Sequence, residues 1–250
     1  MRGSLASLGL VALGACAGPL HPGLAVPRDA AAEALSEWRA IGRTHQDRPL
    51  RVRTAGGGPR RVLWIGGIHG NEREGRIATA RLPEVFLERG LGERVTLTIL
   101  EDANPDGSAR NTRGNSRGVD LNRNFPARNF RTATATAGGQ PLSQPESLAL
   151  HDLILDLQPD LILVAHSWGG RTFVNFDGPA EAIARRFSEQ SGLPMVRSDE
   201  FPPTPGSLGS WVGRDLGIPI VTIEWLRGRD PFDAWVATKE AILTAIAGDG

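Results

Sequence analysis

Three short stretches of this 250-residue chain carry side chains that could build one metal-assisted catalytic site. The first is Gly66-Gly67-Ile68-His69-Gly70-Asn71-Glu72, directly after an apolar run. Imidazole nitrogen and carboxylate oxygen are both good Zn²⁺ ligands, and a turn can bring a His-x-x-Glu pair onto one ion. Alone the pair carries little weight, since it arises by chance in many chains. The second is His166, which follows the apolar run Asp160–Ala165. Two histidines and one glutamate would leave a fourth position open for water, as a catalytic zinc requires. The third is Glu224, at the end of Val221-Thr222-Ile223. A carboxylate among apolar neighbours is costly to bury without a purpose. Beside a water on the metal it would serve as general base.

A serine nucleophile is the competing reading of the second stretch. Ala165-His166-Ser167-Trp168-Gly169 resembles the nucleophile elbow of α/β-hydrolases, with Ala in place of the first Gly. That chemistry needs a histidine later in the chain than the serine. The five histidines are His21, His45, His69, His151 and His166, and none follows Ser167. The elbow should also open a helix, whereas Arg171–Phe176 reads as a strand. The serine hydrolase is excluded on both grounds.

Between the metal candidates lies the most specific stretch. It contains Asn104-Pro105-Asp106-Gly107 and then Arg113-Gly114-Asn115-Ser116-Arg117-Gly118-Val119-Asp120-Leu121-Asn122-Arg123-Asn124-Phe125-Pro126. With these residues the chain resembles the zinc metallocarboxypeptidase family. The order His-x-x-Glu, Arg, Asp-x-Asn-Arg-Asn-aromatic, strand-end His and strand-end Glu is the family's. The resemblance covers roughly residues 45 to 230. It implies one Zn²⁺ held by His69, Glu72 and His166, with Glu224 as base. It implies that Arg113 stabilises the oxyanion, and that Asn122 and Arg123 bind the carboxylate of the residue being released. Arg117 competes with Arg113 for the oxyanion role, and Asp120 reads as a brace for the loop. A guanidinium fork suits a carboxylate bidentately, which fits the role of Arg123.

Two features depart from the family. The chain contains no tyrosine, so the tyrosine that closes over substrate in digestive carboxypeptidases is missing or replaced. In Ser207-Leu208-Gly209-Ser210-Trp211, Gly209 falls where the family places its pocket-defining side chain. A glycine there leaves room for a long or polar group on the released residue. The pattern NPDG, GVDLNRNFP, TPGSLGSW and TIE looks most like the murein-peptide amidase branch, which cuts the γ-D-glutamyl–meso-diaminopimelate bond of peptidoglycan peptides. The alternatives are a conventional metallocarboxypeptidase acting on peptide C-termini, and an acyl-amino-acid deacylase of the same fold. A non-enzymatic lipoprotein that only binds peptidoglycan stems is the reading from a different class, and the intact ligand set and Glu224 weigh against it.

The elements that must position these residues alternate along the chain. Strands are expected at 50–53, 61–67, 95–101, 160–165, 171–176 and 218–223. Helices are expected at 27–43, 74–89, 145–157, 179–190 and 232–247. Strands interleaved with helices predict one α/β domain, a mixed, mostly parallel sheet flanked by helices, carboxypeptidase-like in the resemblance. Residues 102–144 are poor in apolar side chains, and so long a polar segment is usually functional or disordered. Twenty-eight basic residues balance 28 acidic ones, which argues against a nucleic-acid partner. One cysteine excludes an internal disulfide framework and any Cys-based metal cluster.

That cysteine, Cys16, follows Leu13-Gly14-Ala15 at the end of a basic start and a short apolar stretch. The layout is that of a secretory signal, and its end resembles a bacterial lipobox, in which the thiol is acylated. The expected organisation is a signal over 1–15, a Pro/Gly/Ala tether over 16–27 and a catalytic domain over 28–250. The expected location is the periplasmic side of the cell envelope, with the outer membrane as the site of the lipid anchor. Membrane contact would run through that lipid alone.

Overall fold

A computed structural model of the chain describes residues 35–132, 136–201 and 204–248. The expectations for the signal segment, Cys16 and the tether lie outside the described residues.

Eight strands form one mixed sheet: β1 (Arg39–Arg43), β2 (Pro49–Gly56), β3 (Arg60–Ile65), β4 (Val95–Leu100), β5 (Leu161–Trp168), β6 (Phe173–Asp177), β7 (Met195–Arg197) and β8 (Ile220–Leu226). Their spatial order is β1-β2-β4-β3-β5-β8-β6-β7. The centre, β4-β3-β5-β8, is parallel throughout. β2 and β6 flank it antiparallel. The α-helices among the described residues are α1 (Arg76–Glu88), α2 (Pro105–Arg110), α3 (Pro145–Leu157), α4 (Glu181–Ser191) and α5 (Pro231–Ala247). Parallel neighbours cannot be joined by a hairpin, so the chain crosses over the sheet faces, and both faces are covered.

That two-sided burial explains why the central strands are continuously apolar. In β3, Val62 and Trp64 face one core while Leu63 and Ile65 face the other. In β5, Leu161 and Leu163 divide from Ile162 and Val164 in the same way. The first core is filled from α1, α4 and α5 by Leu82, Phe86, Phe187 and Ile242. The second is filled from α3 and the long loop by Leu150, Ile154, Leu121 and Phe125. Each fully buried large side chain contributes about 1.5–3 kcal/mol of hydrophobic stabilisation.

The short helix α2, the strand β7 and the N-terminal element differ from expectation; of the last, residues 27–34 lie outside the described residues. The stretch 27–43 was expected as a helix, but Arg39–Arg43 is the edge strand β1, antiparallel to β2, and Leu35 bridges to Ala55. Its apolar residues at three-residue spacing fit a helix in isolation. The open edge of β2 offers unpaired backbone groups, and pairing with them overrides the local preference. The polar segment 102–144 is built around buried polar side chains. Asn124 is fully buried and forms five side-chain hydrogen bonds, with Ala137 O, Gln140 O, Ser143 Oγ, Gln144 N–H and Ser147 Oγ. Asn104 caps α2 by accepting from Gly107 N–H, with Pro105 in the first turn where its missing N–H costs nothing.

Candidate active site

The C-terminal ends of β3, β5 and β8 lie side by side, the position where open α/β sheets gather ligands. The turn after β3 presents His69 and Glu72. It is pressed tightly onto α2: a Cβ on Gly70 would lie 2.0 Å from the Gly107 carbonyl carbon, so only glycine fits. Gly67 takes φ +68°, a conformation open to glycine at little cost. His166 lies within β5, which runs on past Ala165 to Trp168, and it is in register with Glu224 on β8. Both share the strand parity of Ile162 and Ile220, so both project on the side of the second core.

His69, Glu72 and His166 are all buried, and one ligand atom from each lies within 4.8 Å of the others. His69 Nε2 donates to Asp120 Oδ1 at 3.0 Å, which leaves Nδ1 turned toward Glu72. That Nδ1 is buried, 3.0 Å from Glu72 Oε1, and makes no hydrogen bond. His166 Nδ1 lies 2.8 Å from Glu72 Oε2. An orphaned imidazole nitrogen, a second imidazole and a carboxylate are a donor set suited to Zn²⁺, and a histidine whose other nitrogen is held by a carboxylate is the common arrangement around such an ion. The residues present therefore fit a zinc ion. Burial works against the charge on Glu72, but hydrogen bonding to His166 and His69 outweighs it and holds the carboxyl far below its usual range. Burial likewise opposes a proton on His69, and the Asp120 and Glu72 carboxylates outweigh it.

Asp120 is a brace. It meets His69 through Oδ1 and Arg113 Nε through Oδ2 at 2.9 Å, and it accepts the Asn122 N–H. It thereby fixes three of the expected site residues at once. Arg113 reaches Glu72 Oε1 at 3.1 Å, whereas Arg117 is exposed and has no part in this cluster. Of the two arginines weighed for the oxyanion, Arg113 is the one brought to the site.

Glu224 stands beside the cluster, with Oε2 buried and without a hydrogen-bond partner. Burial pushes its carboxyl up to about 7, the Glu72 charge adds to this, and His166, Arg113 and Arg227 oppose it. A cation among His69, Glu72 and His166 would favour the ionised form. Ser167, the rejected nucleophile, is inside β5 with its Oγ buried and unpaired, and the chain continues into the strand β6.

From Glu224 and His166 a pocket of about 300 Å³ leads past Asn122 and Arg123 to Asp177 and Gly209. Asn122 Oδ1 accepts the Leu208 N–H at 2.9 Å, so its amide nitrogen keeps both hydrogens. Burial lowers the pKa of the Arg123 guanidinium and the Asp120 carboxylate opposes the shift; Arg123 also donates to Asn122 O. Gly209 opens a π-helix, Gly209–Asp215, that packs on β6. A Cβ on Gly209 would lie 2.4 Å from Asp177 Oδ2, and one on Gly213 would lie 2.5 Å from Asp177 Cβ. Gly209 thus does more than leave space: it admits a carboxylate, whose other oxygen accepts from Arg214 Nε at 2.8 Å. Trp168, Phe173 and Phe201 cluster at the pocket wall. A larger groove of about 730 Å³ lies between β2 and α1, lined by Arg48, Arg51, Arg53 and Arg76, and it contains neither metal candidate nor Glu224.

The sequence reading missed Asp177, Arg227 and the aromatic wall. The available signal for Asp177 was an acid at a strand end before a glycine, which is common; its meaning depends on the glycines opposite.

The zinc carboxypeptidase family profile matches residues 29–208, which include His69, Glu72, Arg113, Asp120, Asn122, Arg123, His166 and Asp177. Murein peptide amidase A of Escherichia coli K12 is 30% identical over 179 residues, covering 65% of this chain and 70% of that protein. The Vibrio campbellii protein of the same name is 29% identical over 184 residues, covering 66% and 68%. The solved murein-tripeptide amidase of E. coli O157 superposes with a TM-score of 0.68 at 27% identity, covering 90% of this chain and 97% of that one. Carboxypeptidase A from Helicoverpa armigera gives 0.72 at 20% identity, covering 86% and 69%, a likeness of fold.

Proposed function

Since this chain belongs to the zinc carboxypeptidase family and is a hydrolytic enzyme, we propose that it cleaves the γ-D-glutamyl–meso-diaminopimelate bond of peptidoglycan peptides. His69, Glu72 and His166 would hold zinc, which when bound supplies Lewis-acid polarisation of the carbonyl and activation of water. Glu224 takes the proton of the attacking water and returns it to the leaving amine. Its buried, unpaired Oε2 supports that role, because a base solvated by other donors would be weaker. Arg113, anchored by Asp120, faces the oxyanion. Arg123 and the free amide hydrogens of Asn122 take the carboxylate beside the scissile bond.

The observation that carries the substrate choice is Asp177 at the end of the pocket. Diaminopimelate brings a long arm ending in an ammonium and a carboxylate. An ammonium needs an acceptor there, and Gly209 lets Asp177 supply one. The relatives' own substrate, in the names they carry, agrees with this choice. The same carboxylate also favours a second reading, removal of a C-terminal lysine or arginine from ordinary peptides. Incubation with L-Ala-γ-D-Glu-meso-diaminopimelate beside peptides ending in lysine, arginine or leucine, with products read by mass spectrometry, separates the two. Release of diaminopimelate is expected; cleavage of the lysine peptides alone would overturn the proposal.

An envelope location completes the proposal, and it rests on residues 1–27 of the sequence. Among the described residues no helix is long and apolar enough to cross a membrane. Cys16→Ser should release the protein from the membrane fraction with its catalysis intact, and a wild-type protein that takes up no fatty-acid label would contradict the anchor.

A further inference from the structure

We propose that Arg227 is the receptor for a free carboxylate on the acyl side of the scissile bond, the α-carboxylate of the γ-linked D-glutamate. This rests on the γ-D-glutamyl reading above. Arg227 lies three residues after Glu224, and its backbone N–H is docked on Trp168 O at 2.9 Å at the end of β5. Its Nη2 donates to Ser167 O at 3.1 Å and to Glu72 Oε1 at 2.9 Å. The side chain is 40% exposed while that of Glu72 is 3% exposed, so the guanidinium spans from solvent to the metal cluster.

Its side of the cluster can be read from Glu72. His166 and the Ser167 N–H approach Oε2, and His166 lines the pocket for the released residue. Arg113 and Arg227 both approach Oε1, and neither lines that pocket. The two arginines therefore reach the cluster from outside the pocket for the released residue, and the acyl portion must also lie outside that pocket. Arg113 has a second carboxylate, Asp120, besides Glu72. Arg227 has Glu72 as its one carboxylate partner among the described residues. A divalent cation on Glu72 would draw on that carboxylate; Arg227 would then have the neutral Ser167 carbonyl as its direct hydrogen-bond partner, with Glu224 acting on it through space, and a half-exposed guanidinium in that position is suited to an anion.

The substrate supplies one. A γ-linked glutamate keeps its α-carboxylate, separated from the scissile carbonyl by a short methylene spacer. An ordinary α-linked residue has a neutral amide at its backbone instead. An arginine here would thus select the γ-linkage itself, independently of what Asp177 reads on the released side.

The test compares two tripeptides that differ in one group: L-Ala-γ-D-Glu-meso-diaminopimelate and its analogue with the D-glutamate α-carboxylate converted to carboxamide. The wild-type zinc enzyme should prefer the carboxylate by about tenfold to a hundredfold in kcat/KM. Arg227→Gln should bring that ratio close to one, and Arg227→Lys should retain part of it. Zinc content by elemental analysis should stay at the wild-type value in both variants. If Arg227→Gln slows both substrates equally and keeps the ratio, or loses zinc, Arg227 merely supports Glu72 and this inference fails while the amidase reading stands. If the wild type shows no preference, the inference fails in the same way. Cleavage of neither tripeptide by the wild type would overturn the γ-D-glutamyl reading and this inference with it.

Discussion

Replacing Asp177 by asparagine keeps the shape of the pocket end and removes its charge. Asp177 Oδ1 is engaged by Arg214 Nε at 2.8 Å, a bond that an amide oxygen can keep. Oδ2 is the oxygen next to Gly209, and its replacement by an amide nitrogen turns an acceptor toward the incoming ammonium into a donor. The Asp177 side chain is 13% exposed, so a bond there is made in largely desolvated surroundings. A charge-assisted hydrogen bond is worth about 1.5–3 kcal/mol. Arg214 already neutralises part of the charge, so the lower half of that range applies, on the order of 10- to 40-fold in kcat/KM. The assay pairs the diaminopimelate tripeptide with an analogue ending in 2-aminopimelate, which lacks only the distal amine. Wild type should prefer the diaminopimelate substrate by that factor, and Asp177→Asn should lose the preference while cleaving the analogue about as well as wild type does. Gly209→Ala should act in the same direction, because its methyl would lie 2.4 Å from Oδ2 and displace the carboxylate. An unchanged preference in Asp177→Asn would refute the reasoning and return the pocket to an open question of shape.

Three further outcomes are expected. Asn124→Ala strands buried partners at Ala137 O, Gln140 O and Gln144 N–H and should cost about 3–5 kcal/mol in urea unfolding. A loss under about 1 kcal/mol would show that water replaces the hub. Burial raises the Asp102 carboxyl from 3.8 to about 6, despite hydrogen bonds with Ser108 and the Asn104 N–H. A raised acid favours the folded state while protonated, and that contribution, on the order of 2–3 kcal/mol, is lost as pH rises from about 4 through about 6. Asp102→Asn should therefore gain stability relative to wild type between pH 4 and pH 7.5, and a difference independent of pH would contradict the shift. Arg113→Ala should lower kcat far more than it raises KM, since its contact is made to developing charge; a pure KM effect would place it in ground-state binding.

Much of the frame was legible because the central strands are buried on both faces. β3 and β5 read as strands from apolar runs too short for helices, and α3 was read at its observed bounds, with Pro145 in its first turn. His69, Glu72, His166 and Glu224 were legible because each follows or ends such a run. The N-terminal edge strand was not, since pairing with β2 decides it. Asp177 and Arg227 were not, because an acid and an arginine at strand ends are ordinary until the fold puts Gly209 opposite one and Glu72 beside the other. Asn124 was quoted within a motif, yet its weight comes from partners up to 23 residues away.

The proposed mechanism divides the labour: His69, Glu72 and His166 would hold the metal, and Glu224 would move the proton. Glu224→Gln tests it most directly, with zinc by elemental analysis and turnover of the tripeptide measured on the same preparation. The variant should keep one zinc per chain and lose turnover by roughly a hundredfold to ten-thousandfold, the contribution of a positioned base. Loss of zinc in that variant would make Glu224 a ligand, and undiminished turnover would take the proton transfer away from it; either result contradicts the mechanism.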